Sequence, residues 1–297
     1  MSNRAKGILL MILSSLSFAL MSIAVKMTGG TIPVFEQVFF RNIVIILMVL
    51  PASIREHTKI FFKDGTQLLL WGRSILGVIG VIFSFLATNS GNQADVSILS
   101  RLSPFLITIL SFFIMHEKIT KVQIPALILA FTGAFIIANP KFNSNMYPIV
   151  MALLTSLVSS FAYTIVGYLR GKALPNQIVL HFAVVSVLIM IPCMIFISGF
   201  VVPTWRELLW LILIGIFGTG GQVFLTNAYR LAETGEVSIY SNSTIIFSAL
   251  LGYFVLGETL AWNTVIGGLL VISALLIVFI GGKIEKKKLQ EKEKENA

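Results

Sequence analysis

Charge is what this sequence has least of. Only 12% of its 297 residues are Asp, Glu, Lys or Arg, about half the ~25% of a soluble domain. That leaves too little polar surface to face water all round, and a mean hydropathy of +0.92 places the chain in a bilayer. Cysteine is nearly absent as well. The single Cys193 can form no disulfide within one chain and reads as a small apolar side chain in an apolar run. The three histidines, His57, His116 and His181, do not cluster, and no HExxH or CxxC pattern occurs, which argues against a metal site. Without a GxxxxGK or GxSxG stretch there is no sign of direct ATP use or of a nucleophile elbow. No cofactor is expected.

What charge there is has an arrangement. The net charge of +9 is not a nucleic-acid footprint. The basic residues lie in short connections and in the tail from Lys283 to Ala297, where Lys and Glu alternate, a pattern of a polytopic membrane protein with a solvated end. The tail reads as a frayed helix or as disordered. The amino-terminal residues have the charge-then-apolar form of a secretory leader, but many apolar runs follow, and Met1–Met27 has its own counterpart in the second half. It is read as a retained span.

A bilayer crossing takes about 20 mostly apolar residues. Ten runs qualify, at about 7–27, 34–53, 68–90, 94–115, 122–139, 146–169, 177–198, 205–230, 235–256 and 262–281. Taking the amino terminus as internal puts 17 basic residues on the cytoplasmic side, Arg73 among them, and leaves Lys26, Lys141 and Arg206 outside. That asymmetry orients the chain, with both termini cytoplasmic. Arg41 and Arg101 remain within spans.

The strongest internal signal is a repeat. Ala94–Lys121 returns 141 residues later as Gly235–Trp262, with Val96/Val237, Ser97/Ser238, Ser100/Ser241, Leu110/Leu251 and Glu117/Glu258 identical. The same offset relates Gly77 to Gly218, Gly80 to Gly221 and Ala87 to Ala228. Each copy holds five spans, an odd number, so the second copy is inserted upside down. The basic turn His116–Lys121 against Gly257–Trp262, which has no Lys or Arg, agrees with that inversion. The expected fold is an all-α membrane protein of ten transmembrane helices in two inverted five-helix repeats, 1–140 and 146–282, followed by a charged tail, 283–297. Inverted repeats are the architecture of secondary transporters, with substrate held near the midplane where the halves meet.

The doubled five-span unit, the FFRN of Phe39–Asn42, the Ser103–Phe105 and Glu117–Thr120 stretches and the Gly257–Thr259 triplet together resemble the drug/metabolite transporter superfamily, of the ten-helix EamA-like type. The resemblance covers nearly the whole chain. It implies cytoplasmic termini, a central cavity lined from both halves, a small-molecule substrate such as an amino acid or nucleotide sugar, and fifth and tenth spans that sit away from the cavity and can support a homodimer. It also favours export over uptake.

Candidate binding residues come from reading each span at 100° per residue. On the fourth, Ser97, Arg101, Pro104 and Thr108 form one polar stripe. A guanidinium in a span costs several kcal/mol unless paired or wetted. Arg101 therefore reads as a fork for a carboxylate or phosphate, or else as a partner of Asp95 or Glu36, or as snorkelling to the headgroups. Its repeat counterpart Asn242 is placed on one face of the ninth span with Ser238. Arg41 reads as a clamp to another helix or a headgroup contact. If either arginine faces the cavity, an anionic or zwitterionic substrate is favoured. Gln222 and Thr226 on the eighth span, Tyr163 on the sixth, Ser14 and Phe18 on the first and Phe85 on the third complete the expected lining, suited to a small amphipathic metabolite. Each has a packing alternative, since small and hydroxylic residues also join helices. Glu258 reads as a structural or gate contact, and Pro104, Pro125 and Pro192 as breaks in their spans. The functional reading is a secondary active transporter in the cytoplasmic membrane, surrounded by lipid and unrelated to nucleic acid. The rival reading is an intramembrane lipid-modifying enzyme, for which His181 with a serine is the one candidate pair.

Overall fold

The computed structural model describes residues 3–56, 66–100, 123–138, 146–169, 172–231 and 238–295, with scattered positions between 102 and 109. All regular structure among the described residues is helical: α1 (Asn3–Thr28), α2 (Val34–Arg55), α3 (Thr66–Ser90), α4 (Gln93–Ser100), α5 (Gln123–Ala138), α6 (Tyr147–Tyr168), α7 (Pro175–Cys193), α8 (Trp205–Leu231), α9 (Ser243–Leu256) and α10 (Trp262–Glu295). Among the described residues, six helices are long and apolar enough to cross a membrane. A lipid-facing backbone must satisfy every N–H and C=O within its own helix, so runs of Leu, Ile, Val and Phe of this length fold as helices. The 22-residue α2 spans about 33 Å at 1.5 Å per residue. Large apolar side chains such as Phe196, Val202, Leu68 and Phe254 are more than three-quarters exposed, which suits a surface bathed in hydrocarbon.

Four details of the helices bear on the sequence reading, and each has a physical cause. Pro125 is the third residue of α5, a first-turn position whose N–H has no intrahelical partner, so it breaks nothing. Pro192 lies inside α7, which continues as a π-helical turn over Met194–Ser198, the wider winding that accommodates a missing donor. The ninth span is not one α-helix. A 3₁₀ turn over Ser238–Asn242 precedes α9, and at three residues per turn it carries Asn242 about 120° round from Ser238 instead of onto the same face. Finally, α10 runs on to Glu295, so the alternating tail takes the helical one of its two expected forms.

The packing follows a pattern. α1 lies along α8 and α3 along α6; α2 packs on α7, α5 on α10 and α4 on α9; α2 meets α8 as α3 meets α7, and α1 meets α9 as α4 meets α6. Replacing each helix by the one five places along leaves this set of neighbours unchanged. Two apolar clusters fill the interior. One joins α4, α5 and α10 through Leu99, Ala126, Ala130, Val271 and Ala274. The other joins α1, α2, α3, α7 and α8 through Met21, Val38, Val78, Phe85, Phe182 and Ile214. α5 and α10 stand with the first cluster, and α5 turns Ile128, Phe131 and Phe135 outward.

Candidate functional site

The second cluster contains what an apolar core should exclude. Arg41, on α2, is 1% exposed, and Arg73, on α3, is 4% exposed. Both guanidiniums pack over the ring of Phe182 on α7, at 5.6 Å for Arg41 and 4.5 Å for Arg73. Arg73 and the half-buried Tyr163 on α6 lie within electrostatic reach of Arg41. The ring's negative face attracts cations, but it supplies no counter-charge.

Two glycines make room for this group. A Cβ on Gly77 would stand 2.3 Å from Arg73 Nη1 and 3.0 Å from the Phe182 ring. A Cβ on Gly218 would stand 2.9 Å from Arg41 Nε and 3.2 Å from Met21 Sδ. The two glycines are 141 residues apart, and so are Arg41 and Phe182. Thus α8 clears space for Arg41 as α3 clears space for Phe182.

The hydrogen bonds of the arginines are few. Arg41 Nη1 donates to Asn42 Oδ1 at 3.3 Å, and Nε of both Arg41 and Arg73 is buried without a partner. Five carboxylates make their contacts with other residues, although one oxygen of Glu36, Oε1, is buried without a partner. Glu36 accepts from the Val201 N–H at 3.1 Å, Asp95 from Thr264 at 2.6 Å, Glu207 from Thr204 and Glu56 from Asn176. Glu258 pairs with Lys26 and accepts from the Gln93 N–H at 2.8 Å, while Lys26 also donates to the Gly91 carbonyl at 2.7 Å. Glu258 thus ties α1, the α3–α4 turn and the end of α9 together, a structural contact between the two halves.

The remaining sequence candidates scatter. Arg101, Pro104, Thr108 and Glu117 lie outside the described residues, as does the side chain of Ser238. Ser97 is buried on α4 with an unpartnered hydroxyl. Asn242 is half-buried at the end of the 3₁₀ turn, which Ser15 on α1 holds through the carbonyls of Tyr240 and Ser241. Ser14 donates to the Gly221 carbonyl at 2.7 Å, and Phe18 fills the space a Cβ at Gly221 would need, so both join α1 to α8. Thr226 bonds the Gln222 carbonyl of its own helix at 2.7 Å, and both residues are buried. Phe85 packs in the core with Phe182. Of the proposed lining, the structure brings Arg41 and Tyr163 into one region with Phe182 and Arg73, whereas Phe85 lies about 18 Å further along α3 than Arg73. Burial rules out a headgroup contact for Arg41. Arg73 corrects the topology reading, which counted it as a flanking charge; it lies inside α3, seven residues past Thr66.

His181, beside Phe182, is fully buried. Its Nδ1 lies 2.8 Å from Ser74 Oγ and its Nε2 3.0 Å from the Gln67 amide, with Trp71 edge-on. A serine and a base within hydrogen-bond reach are the start of a nucleophilic pair, but the third group here is an amide and not a carboxylate.

A model of the EamA-like transporter family matches residues 5–139 and again 146–280. The chain belongs to the EamA-like transporter family. The pseudopaline exporter CntI of Pseudomonas aeruginosa strain UCBPP-PA14 is 31% identical over 273 residues, 91% of this chain and 94% of its own. The S-adenosylmethionine uptake transporter of Rickettsia prowazekii is 21% identical over 96% of this chain and 95% of its own. One relative is named for export and the other for uptake, so the family fixes transport and not its direction. A solved crystal structure with 15% identity superposes with a TM-score of 0.68 over 93% of this chain and 97% of its own, a likeness of fold. Family and relatives are those of multi-pass membrane transporters, not of enzymes.

Proposed function

We propose that this chain is a secondary active transporter that moves a small organic metabolite, anionic or zwitterionic as an amino acid is, across the cytoplasmic membrane by alternating access. Its ten helices act as two inverted five-helix repeats, 1–140 and 146–282, with a cytoplasmic tail, 283–297, and both termini inside. The observation that carries the reading is Arg41. It is a buried cation in a membrane-length helix, stacked on Phe182, the residue 141 positions along, where α2 of one family match meets α7 of the other. A cation on the seam between two matched halves stands where transporters of this architecture bind substrate. The exchange of neighbours between halves supports the repeat.

The test is solute counterflow in proteoliposomes with a panel of amino acids, organic acids and sugar phosphates. Exchange of an anionic or zwitterionic solute, reduced by Arg41→Gln, is expected. Exchange of cationic solutes alone would overturn the substrate reading, and no exchange across the panel would overturn transport.

The Ser74–His181 contact favours a second reading, an intramembrane lipid-modifying enzyme. Product formation from lipid by the purified protein, lost in Ser74→Ala, would support it.

A further inference from the structure

We infer that Arg41 and Arg73 together form a site for a dianionic group, a dicarboxylate or a phosphate monoester. The inference rests on the transporter reading and narrows its substrate. Two guanidiniums share one apolar ring, each more than nine-tenths buried. Each turns an unpartnered Nε into the interior, and Glu36, Glu56, Asp95, Glu207 and Glu258 each make their contacts with other residues.

Burial removes the hydration of both cations, and their mutual repulsion adds to that cost. A structural arginine in such a place is held by an acid. Among the described residues these two have Phe182, Tyr163 and one long bond to Asn42, none of which carries the missing charge. A single carboxylate would neutralise only half of the site. A group with two negative charges neutralises it all, and planar forks match both carboxylate and phosphate oxygens. Phe182 would then face the carbon skeleton.

Two features separate this site from a packing device. The glycines at 77 and 218 keep Cβ atoms away from the guanidiniums themselves. The cations come from two helices of one half, α2 and α3, that both pack on α7 of the other half, which carries Phe182. A rocking motion between halves would therefore move the ring of Phe182 relative to both forks, which links anion binding to the conformational cycle.

The experiment is thermal unfolding of the full chain in detergent with sodium succinate and sodium glycerol 3-phosphate. Sodium lactate and sodium chloride at matched ionic strength are the controls. Ligand binding to the folded state raises the melting temperature. The dianions are expected to raise it by several degrees more than lactate or chloride, and Arg41→Gln or Arg73→Gln to abolish the difference. Without anion, Arg73→Gln is expected to melt at or above the parent, because an unpaired buried charge has gone; a structural arginine would leave the variant less stable. A shift with dianions no larger than with chloride overturns the inference, as does a shift retained in both variants. Should the variants fail to fold, phenylglyoxal labelling of the parent protein decides. Succinate or glycerol 3-phosphate should protect the peptides bearing Arg41 and Arg73, and unprotected labelling overturns the site. Counterflow of the same probes separates this inference from the transport reading. Exchange unaffected by Arg73→Gln sinks the dianion site and leaves transport standing. Dianion binding without exchange leaves the site and sinks transport.

Discussion

Position for position, the two halves of this protein share their packing and differ in their chemistry. Arg41 stands 141 residues before Phe182, Asn42 before Ala183, Arg73 before Ile214 and Ser74 before Gly215. Every polar member of these pairs is in the first half. Asn42 donates to Ser186 at 2.8 Å across α2 and α7, and the counterpart of that bond is the apolar pairing of Ala183 with Ile45. Ser74 contacts His181 between α3 and α7, and its counterpart is Gly215 with Phe40 between α8 and α2. The difference teaches that a duplicated scaffold need not carry a duplicated site. A symmetric arrangement would bring four arginines together. Here one half supplies the cations and the other the ring they lie on.

The sharpest way to break the comparison is to write one half into the other. A Cβ on Gly215 would fall 2.3 Å from Val44 Cβ, a contact near the backbone that no rotamer relieves. Gly215→Ser, which copies Ser74, is expected to cost about 3 kcal/mol or more by overpacking and to remove most folded protein from size-exclusion profiles. Val44→Ala in the same chain should restore part of it. A Gly215→Ser protein as stable as the parent would show that α8 and α2 separate more readily than the packing implies.

The ends of the halves differ too. Glu258 is held by Lys26, and the residue 141 positions after Lys26 is Gly167, which has no side chain to repeat the pair. Glu258→Gln keeps the shape and removes the charge. It is expected to cost about 2 kcal/mol, the loss of a charge-assisted hydrogen bond, read as a lower melting temperature in detergent. Because the contact joins α1 to α9 it also opposes separation of the halves at that end, so the variant should react faster with a maleimide at a cysteine placed at Asn89. An unchanged melting temperature and labelling rate would show that this end is held by packing alone.

A smaller effect is expected where one half already shows the apolar solution. Asn42→Ala leaves the Ser186 hydroxyl without its partner and should cost about 1 kcal/mol. Asn42→Ala with Ser186→Ala should recover part of that loss, since the Ser186 hydroxyl is then no longer left unsatisfied, while Arg41 lacks its bond to Asn42 in both variants. A double variant worse than the sum of the singles would mean that volume and not hydrogen bonding matters between α2 and α7.

The legible part of this fold was the part the bilayer dictates. Span lengths follow from hydrocarbon thickness, so α2 and α8 fall within a few residues of their expected ends. Arg41 was legible as a charge inside a span. Arg73 was hidden, because an arginine seven residues into a helix at the basic side satisfies the positive-inside rule as well as it satisfies a binding site. Its signal was the Gly77 one turn later, already paired with Gly218 by the offset. Phe182 was hidden among apolar neighbours, although the same offset joins it to Arg41. The 3₁₀ turn at Ser238–Asn242 was not legible at all. Helical-wheel reasoning assumes one winding throughout, and tertiary contacts such as those of Ser15 with the carbonyls of Tyr240 and Ser241 select another.

The smallest expected effect sharpens the limits of the site. Thr226 was a candidate for the lining by its stripe with Gln222. Its hydroxyl donates to the Gln222 carbonyl one turn back, an oxygen that already accepts the backbone N–H of the same residue in a regular helix. Such a bond adds little to stability, and the Val side chain has nearly the same shape. Thr226→Val is therefore expected to change stability by less than about 0.5 kcal/mol and to leave counterflow within a factor of two, where Arg41→Gln reduces it sharply. The ratio of the two effects is the measure. Were Thr226→Val to impair exchange as much as Arg41→Gln, the substrate path would run along α8 away from Phe182, and the seam between α2 and α7 would no longer be the site.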